Sequence, residues 1–210
     1  MEAVAKALTE RLIRYFGLPE HRRDMLGFGL VTLLISAVDL GAVVLAGWLA
    51  RVLRLTLVAA LTSALFRALT GGAHFSNPWT CAVASAAIAA ALGRIAAVFS
   101  TLAPVWTGAL LVLSLTAAGW AFWVHAPVAS PAKPLSPSHQ AKLRRITWAV
   151  GAIWAAAAGA ALRFGEPGAV AASALGLLWQ AYTLTPGGAS FYRFVDTQVA
   201  KVRKRDYAKE

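Results

Sequence analysis

The chain has one cysteine, two methionines and nine acidic residues among 210. A single cysteine rules out an intramolecular disulfide, so Cys81 is either a packed apolar residue or a reactive thiol. Charge of either sign is scarce, at 14% of the residues, where a soluble domain carries about a quarter. No cleavable signal peptide is expected, because the first twenty residues are charged throughout and lack an apolar run. Further Cys, His or carboxylate neighbours are missing around His74 and Cys81, and His21, His125 and His139 lack ligand spacing. Neither a metal nor a cofactor is therefore expected.

What fills the chain is apolar: 59% hydrophobic residues and a mean hydropathy of +0.62. Several runs approach the roughly 20 residues needed to cross a bilayer. The fold class that follows is all-α, a polytopic membrane protein of about six transmembrane helices. An amphipathic segment precedes the bundle and a basic one follows it. A net charge of +11 would suit nucleic acid. In a membrane chain, excess Lys and Arg instead mark the ends that face the cytoplasm and its anionic lipid, so no nucleic-acid partner is expected.

Taken in order, the chain reads as one integral membrane domain over 1–210. Residues 1–24 form a surface helix, with Leu8, Leu12, Ile13 and Phe16 set among Lys6, Arg11, Arg14, Arg22 and Arg23, ending near Gly17 and Pro19. A six-span bundle fills 25–185, with spans over 25–50, 55–69, 79–99, 104–124, 146–162 and 167–184. The stretch 125–145, rich in Pro and Ser, reads as a polar loop. Residues 186–210 form a basic cytoplasmic tail. Termini inside, sixteen Lys and Arg lie on the cytoplasmic side against three (Arg51, Arg54, Arg163) opposite. That asymmetry places both termini, and the break after the second span, at the cytoplasmic face of the membrane.

Two ionisable residues fall within spans, Asp39 in the first and Arg94 in the third. Such residues are costly in lipid and are commonly paired. One reading is a structural ion pair; the other has Arg94 reaching outward and Asp39 facing water. Glycine and alanine throughout the spans permit close helix approach and self-association. A short echo, Leu69-Thr-Gly-Gly-Ala and Leu184-Thr-Pro-Gly-Gly-Ala, follows two spans that arrive on the same side. Together with Asp39 and Arg94, it supports an alternative class, a small transporter or channel.

The richest chemistry lies in the break at 67–81, which holds Arg67, Gly71, Gly72, His74 and Cys81. Asn77-Pro78 signals a helix start, Asn capping free amides and Pro suiting the first helical position. Cys81 then falls in the opening turn, where the helix dipole favours a thiolate. In one continuous helix His74 would stand about 10 Å from Cys81 along the axis, too far for proton transfer. Gly71-Gly72 and Pro78 break that continuity, and a loop folded back over the helix start would bring imidazole to thiol. Glycine or helix-start amides would hold an oxyanion, and Arg67 would bind a substrate carboxylate or brace the loop. Each residue also has a plain role available: packing for Cys81, an incidental loop position for His74, lipid anchoring for Arg67.

Through Arg67, Gly72-Ala73-His74 and Cys81, placed after a second apolar span, the chain resembles the accessory gene regulator B (AgrB-like) family. Lys133-Pro134-Leu135 is similar to that family's proline-rich cytoplasmic loop, while Ala129 follows Pro127-Val128 where the family carries an acidic residue. The resemblance implies a cysteine endopeptidase of quorum sensing, with His74 and Cys81 catalytic and Arg67, Gly71 and Gly72 supporting them. It implies an AgrD-like propeptide as substrate, an acyl-enzyme thioester, ring closure to a thiolactone or lactone, and a homodimer in the lipid bilayer.

Overall fold

The computed structural model describes residues 2–17, 19, 23–128 and 136–207; His21, Arg22, Ala129 and Lys133-Pro134-Leu135 lie outside them. Among the described residues eight helices follow one another and no strand forms. The leader is α1 (Glu2–Phe16), closed by Gly17 at a φ of 59°, the left-handed stop expected there. It packs on α2 (Arg23–Leu49), which a short turn joins to α3 (Leu53–Thr70). A loop over 71–77 leads to α4 (Pro78–Phe99), then α5 (Pro104–His125) and α6 (Pro137–Arg163). The chain continues through α7 (Pro167–Leu184) and α8 (Pro186–Tyr207).

Five helices, α2 to α6, are long and apolar enough to cross a membrane. The sixth expected span, α7, is outside that group although its ends fall where expected. Its composition answers to protein rather than lipid. It packs against α3, α4, α5, α6 and α8, so its surface is enclosed, and it accommodates the amide of Gln180 fully buried. The most lipid-like helix is α2, where Val43 and Gly47 are buried and Leu33, Leu40, Leu45 and Trp48 face outward. The bundle is thus five apolar helices, most of them arranged about a less apolar seventh.

The stretch 125–145 is not all loop. Ser136 caps α6, its hydroxyl accepting from the His139 amide at 3.3 Å, and Pro137 takes the first helical position. Residues 137–145 are therefore helical, and Lys142, Arg144 and Arg145 ride on an extension of the span. Arg144 donates to the Trp123 carbonyl at 3.0 Å and lies 4.8 Å from the Trp123 ring centroid, which ties α6 to the end of α5.

Two kinds of contact hold the helices. Near the loop, Phe66 is fully buried, stacked on Phe122 with centroids 5.5 Å apart and edge-on to Trp154 at 6.2 Å. At the crossings, small residues let backbones meet. Gly176 of α7 lies against the Ala59 backbone of α3 with no room for a side chain. At the opposite end from the loop, Thr56 of α3 sits between Gly47 of α2 and Gly93 of α4. A Cβ on Gly93 would come within 2.5 Å of the Thr56 hydroxyl, and one on Gly47 within 2.9 Å of the Thr56 Cβ. That end also carries the exposed ion pair Arg54–Glu166 at 2.5 Å.

Asp39 and Arg94 do not pair. Arg94 reaches the Ala50 carbonyl beyond the last turn of α2, at 3.5 Å. Ala50 is eleven residues past Asp39, about 16 Å further along that helix at 1.5 Å per residue. The two charges sit at different depths.

Candidate active site

The loop over 71–77 begins where α3 ends at Thr70. Its first residue adopts φ 71° and ψ −150°, a region open essentially to glycine alone, and the next has φ 134°. Space is as tight as conformation. A Cβ on Gly71 would lie 3.0 Å from the Val128 carbonyl, and one on Gly72 would lie 2.7 Å from the Thr183 hydroxyl. Both glycines are needed for the loop to leave α3 while hugging the end of α7.

Hydrogen bonds then fix its path. The Arg67 guanidinium donates to the Ala73 carbonyl, so Arg67 braces the loop, one of the two roles expected of it. The Ala73 amide donates to the Thr183 carbonyl at 3.1 Å. Gln180, fully buried, donates to the Thr70 hydroxyl at 2.9 Å and to the Gly71 carbonyl at 2.7 Å. The Val128 amide donates to the Thr70 carbonyl at 2.9 Å, which ties the segment after α5 to the same turn. One carboxylate oxygen of Asp39 is buried with no hydrogen-bond partner among the described residues.

Past Ala73 the loop is held from the other side. Phe75 is buried against Tyr192 of α8, ring centroids 4.4 Å apart. The Asp196 carboxylate, also on α8, accepts from the Ser76 amide at 3.0 Å and from its hydroxyl at 2.7 Å. His74 lies between these two anchors with its ring exposed, Nδ1 3.0 Å from the Phe75 carbonyl oxygen.

The helix start at Asn77-Pro78 forms as its residues dictate. The Asn77 side chain accepts from the Trp79 amide at 2.9 Å, and the Cys81 amide closes the first turn on the Asn77 carbonyl at 2.9 Å. Cys81 is half-buried in that turn, its Sγ 3.9 Å from the Ser85 hydroxyl. No hydrogen bond joins His74 to Cys81 among the described residues; each faces its own local partner. Glycine amides were one expected source of oxyanion donors, but the Gly71 amide is bound to the Arg67 carbonyl at 2.9 Å. The amides of Gly72 and Thr80 have no partner among the described residues, and Thr80 directly precedes Cys81.

Gln180, Thr183, Tyr192 and Asp196 were not anticipated from the sequence. A lone amide within the apolar run 167–184 was a usable signal for Gln180, since a buried polar side chain needs partners. Asp196 carried a weaker one, as a carboxylate in a tail otherwise read as basic.

Gly72→Ala is expected to disturb the loop without dissolving the bundle. It forces a strained φ, costing about 1–3 kcal/mol, and pushes on Thr183. Cleavage of the 71–77 loop by added protease should become faster in the purified variant, while its elution from a sizing column stays unchanged.

No curated protein and no solved structure matches the chain. The sequence model of one family, AgrB (accessory gene regulator B), matches residues 5–184, from within α1 to the end of α7. The match takes in Arg67, His74, Cys81 and the glycines that shape their loop, and stops short of α8. The chain is therefore a membrane protein of the accessory gene regulator B family, with a role in that quorum-sensing system.

Proposed function

We propose that the whole chain acts as one membrane domain, a cysteine endopeptidase that cleaves an AgrD-like propeptide and couples cleavage to ring closure. The observation that carries this is the placing of Cys81 in a capped opening turn, directly after a glycine-shaped loop that presents His74 to solvent. The exposed imidazole is held only through Nδ1 among the described residues, and the reading requires it to turn toward the thiol.

The Cys81 thiol gives its proton to His74 and the thiolate attacks the carbonyl carbon of the scissile bond. Amides at the start of α4, Thr80 foremost, stabilise the oxyanion. The C–N bond then breaks, His74 returns the proton to the departing amine, and a thioester remains on Cys81. A thiol or hydroxyl within the bound peptide next attacks that thioester, losing its proton to His74, and the Cys81 thiolate leaves as the ring closes. Water must be kept from the thioester meanwhile, which suits a site at the mouth of a helical bundle.

Charge asymmetry supports cytoplasmic termini and a cytoplasmic active site in a bacterial cell membrane. The apolar outer face of α2 suits the lipid bilayer, and its small residues suit pairing of two copies into a homodimer. The direct test is alkylation. Iodoacetamide should label Cys81, stop processing of the propeptide in reconstituted vesicles, and be slowed by prior addition of propeptide. Full activity in stoichiometrically labelled protein would overturn the assignment.

A further inference from the structure

We infer that α8, which lies beyond the family match, is a working part of the active site, and that Asp196 is its positioning residue. The inference rests on the peptidase reading above and deepens it.

Three observations lead there. First, the two residues after His74 are both held by α8. Phe75 is buried against Tyr192, and Ser76 gives both its amide and its hydroxyl to one carboxylate oxygen of Asp196. The partners are 120 residues apart in sequence, so nothing local imposes the contact. Second, α8 is itself anchored. Trp179 and Tyr182 of α7 meet Phe191 and Tyr192 of α8 in a cluster of rings with centroids 5.5 to 6.5 Å apart. The carboxylate is thus carried on a helix fixed to the central helix of the bundle. Third, the loop on the other side of His74 is clamped by Arg67 and by the Thr183 carbonyl, both on Ala73. His74 is the link between two clamps, one built within the family-matched region and one outside it.

Charge-assisted hydrogen bonds to a carboxylate are among the stronger polar contacts a loop can make. Ser76 immediately precedes Asn77, the cap of the helix that carries Cys81. Asp196 therefore sets the distance between imidazole and thiol from outside, without touching either. Its loss leaves Cys81 in place and lets His74 wander, which lowers the rate of the chemical step more than the affinity for substrate.

The experiment uses the full chain in vesicles with an AgrD-like propeptide, comparing Asp196→Ala, Asp196→Glu, Ser76→Ala and Cys81→Ala. Asp196→Ala should lower kcat about tenfold to a hundredfold with KM within about twofold of the unaltered protein. Asp196→Glu, which keeps the acceptor, should recover most of the rate, and Ser76→Ala should fall between. A second readout does not depend on turnover. Alkylation of Cys81 by iodoacetamide, followed against pH, should lose rate at neutral pH in Asp196→Ala and move toward the profile of a thiol with no imidazole beside it. If Cys81→Ala abolishes processing while Asp196→Ala keeps both its rate and its alkylation profile, the α8 inference is wrong and the peptidase reading stands. If Cys81→Ala processes normally, the peptidase reading fails, and the inference with it. Equal loss in Asp196→Ala and Asp196→Glu, with an unaltered alkylation profile, would point to general destabilisation and also overturn it.

Discussion

Cys81→Ala is expected to abolish propeptide processing, a loss of about three orders of magnitude or more, because no other thiol exists to form the thioester. His74→Ala should cost about 10²- to 10⁴-fold, the usual range for removing a general base, with the residual rate coming from binding and the oxyanion donors. Neither change should harm the fold. Cys81 is half-buried beside Ser85, and His74 is exposed with one hydrogen bond to its neighbour. Mass spectrometry of the propeptide after incubation with each purified variant separates the outcomes. A Cys81→Ser form keeps the shape and replaces the thiol by a poorer nucleophile, so it too should be nearly inactive. Wild-type turnover by Cys81→Ala would end the proposed mechanism.

The largest effect on the fold is expected from Gly176→Leu. The Ala59 backbone lies where any side chain at this position must go, so α3 and α7 have to move apart before leucine fits. Overpacking that side chains can absorb costs about 1–3 kcal/mol. Here the obstacle is main chain on a helix that touches α2, α4, α6 and α7, so the cost should exceed that range. The same displacement would separate Gln180 from Thr70 and Gly71, releasing the loop over 71–77. Loss of the monodisperse, detergent-solubilised protein is the expected readout, with Gly151→Leu, where a Cβ meets nothing nearby, as the tolerated control. Equal yields of the two variants would show that the crossing can relax.

The ends of most helices were legible because short-range chemistry sets them. Asn77-Pro78, Ser136-Pro137 and Gly17 act within a turn of where they stand. Ser136-Pro137 was nonetheless passed over, since the surrounding prolines and serines read as a loop. The enclosure of α7 was not legible, because hydropathy measures what a helix is made of and not what covers it. Depth was misjudged for Arg94 for a related reason. Counting along each span gave Asp39 and Arg94 similar levels, yet the close crossings at Thr56 set how α2 and α4 align. At the site, the residue types, their local order and the Arg67 brace were readable, and the loop's contacts with Thr183 and Asp196 were not. Thr183 and Asp196 are more than a hundred positions from the loop they hold. The echo of Leu69-Thr-Gly-Gly in Leu184-Thr-Pro-Gly-Gly takes on a local meaning, since the Ala73 amide meets the Thr183 carbonyl beside it. In the second copy the inserted Pro186 opens α8 where the first copy stays a loop.

The meeting of Gly47, Thr56 and Gly93 closes one way through the bundle. Three helices touch at one threonine there, on the far side of the molecule from His74, and the gap between them is narrower than a methyl group. Nothing peptide-sized threads between α2, α3 and α4 at that waist while they stay packed.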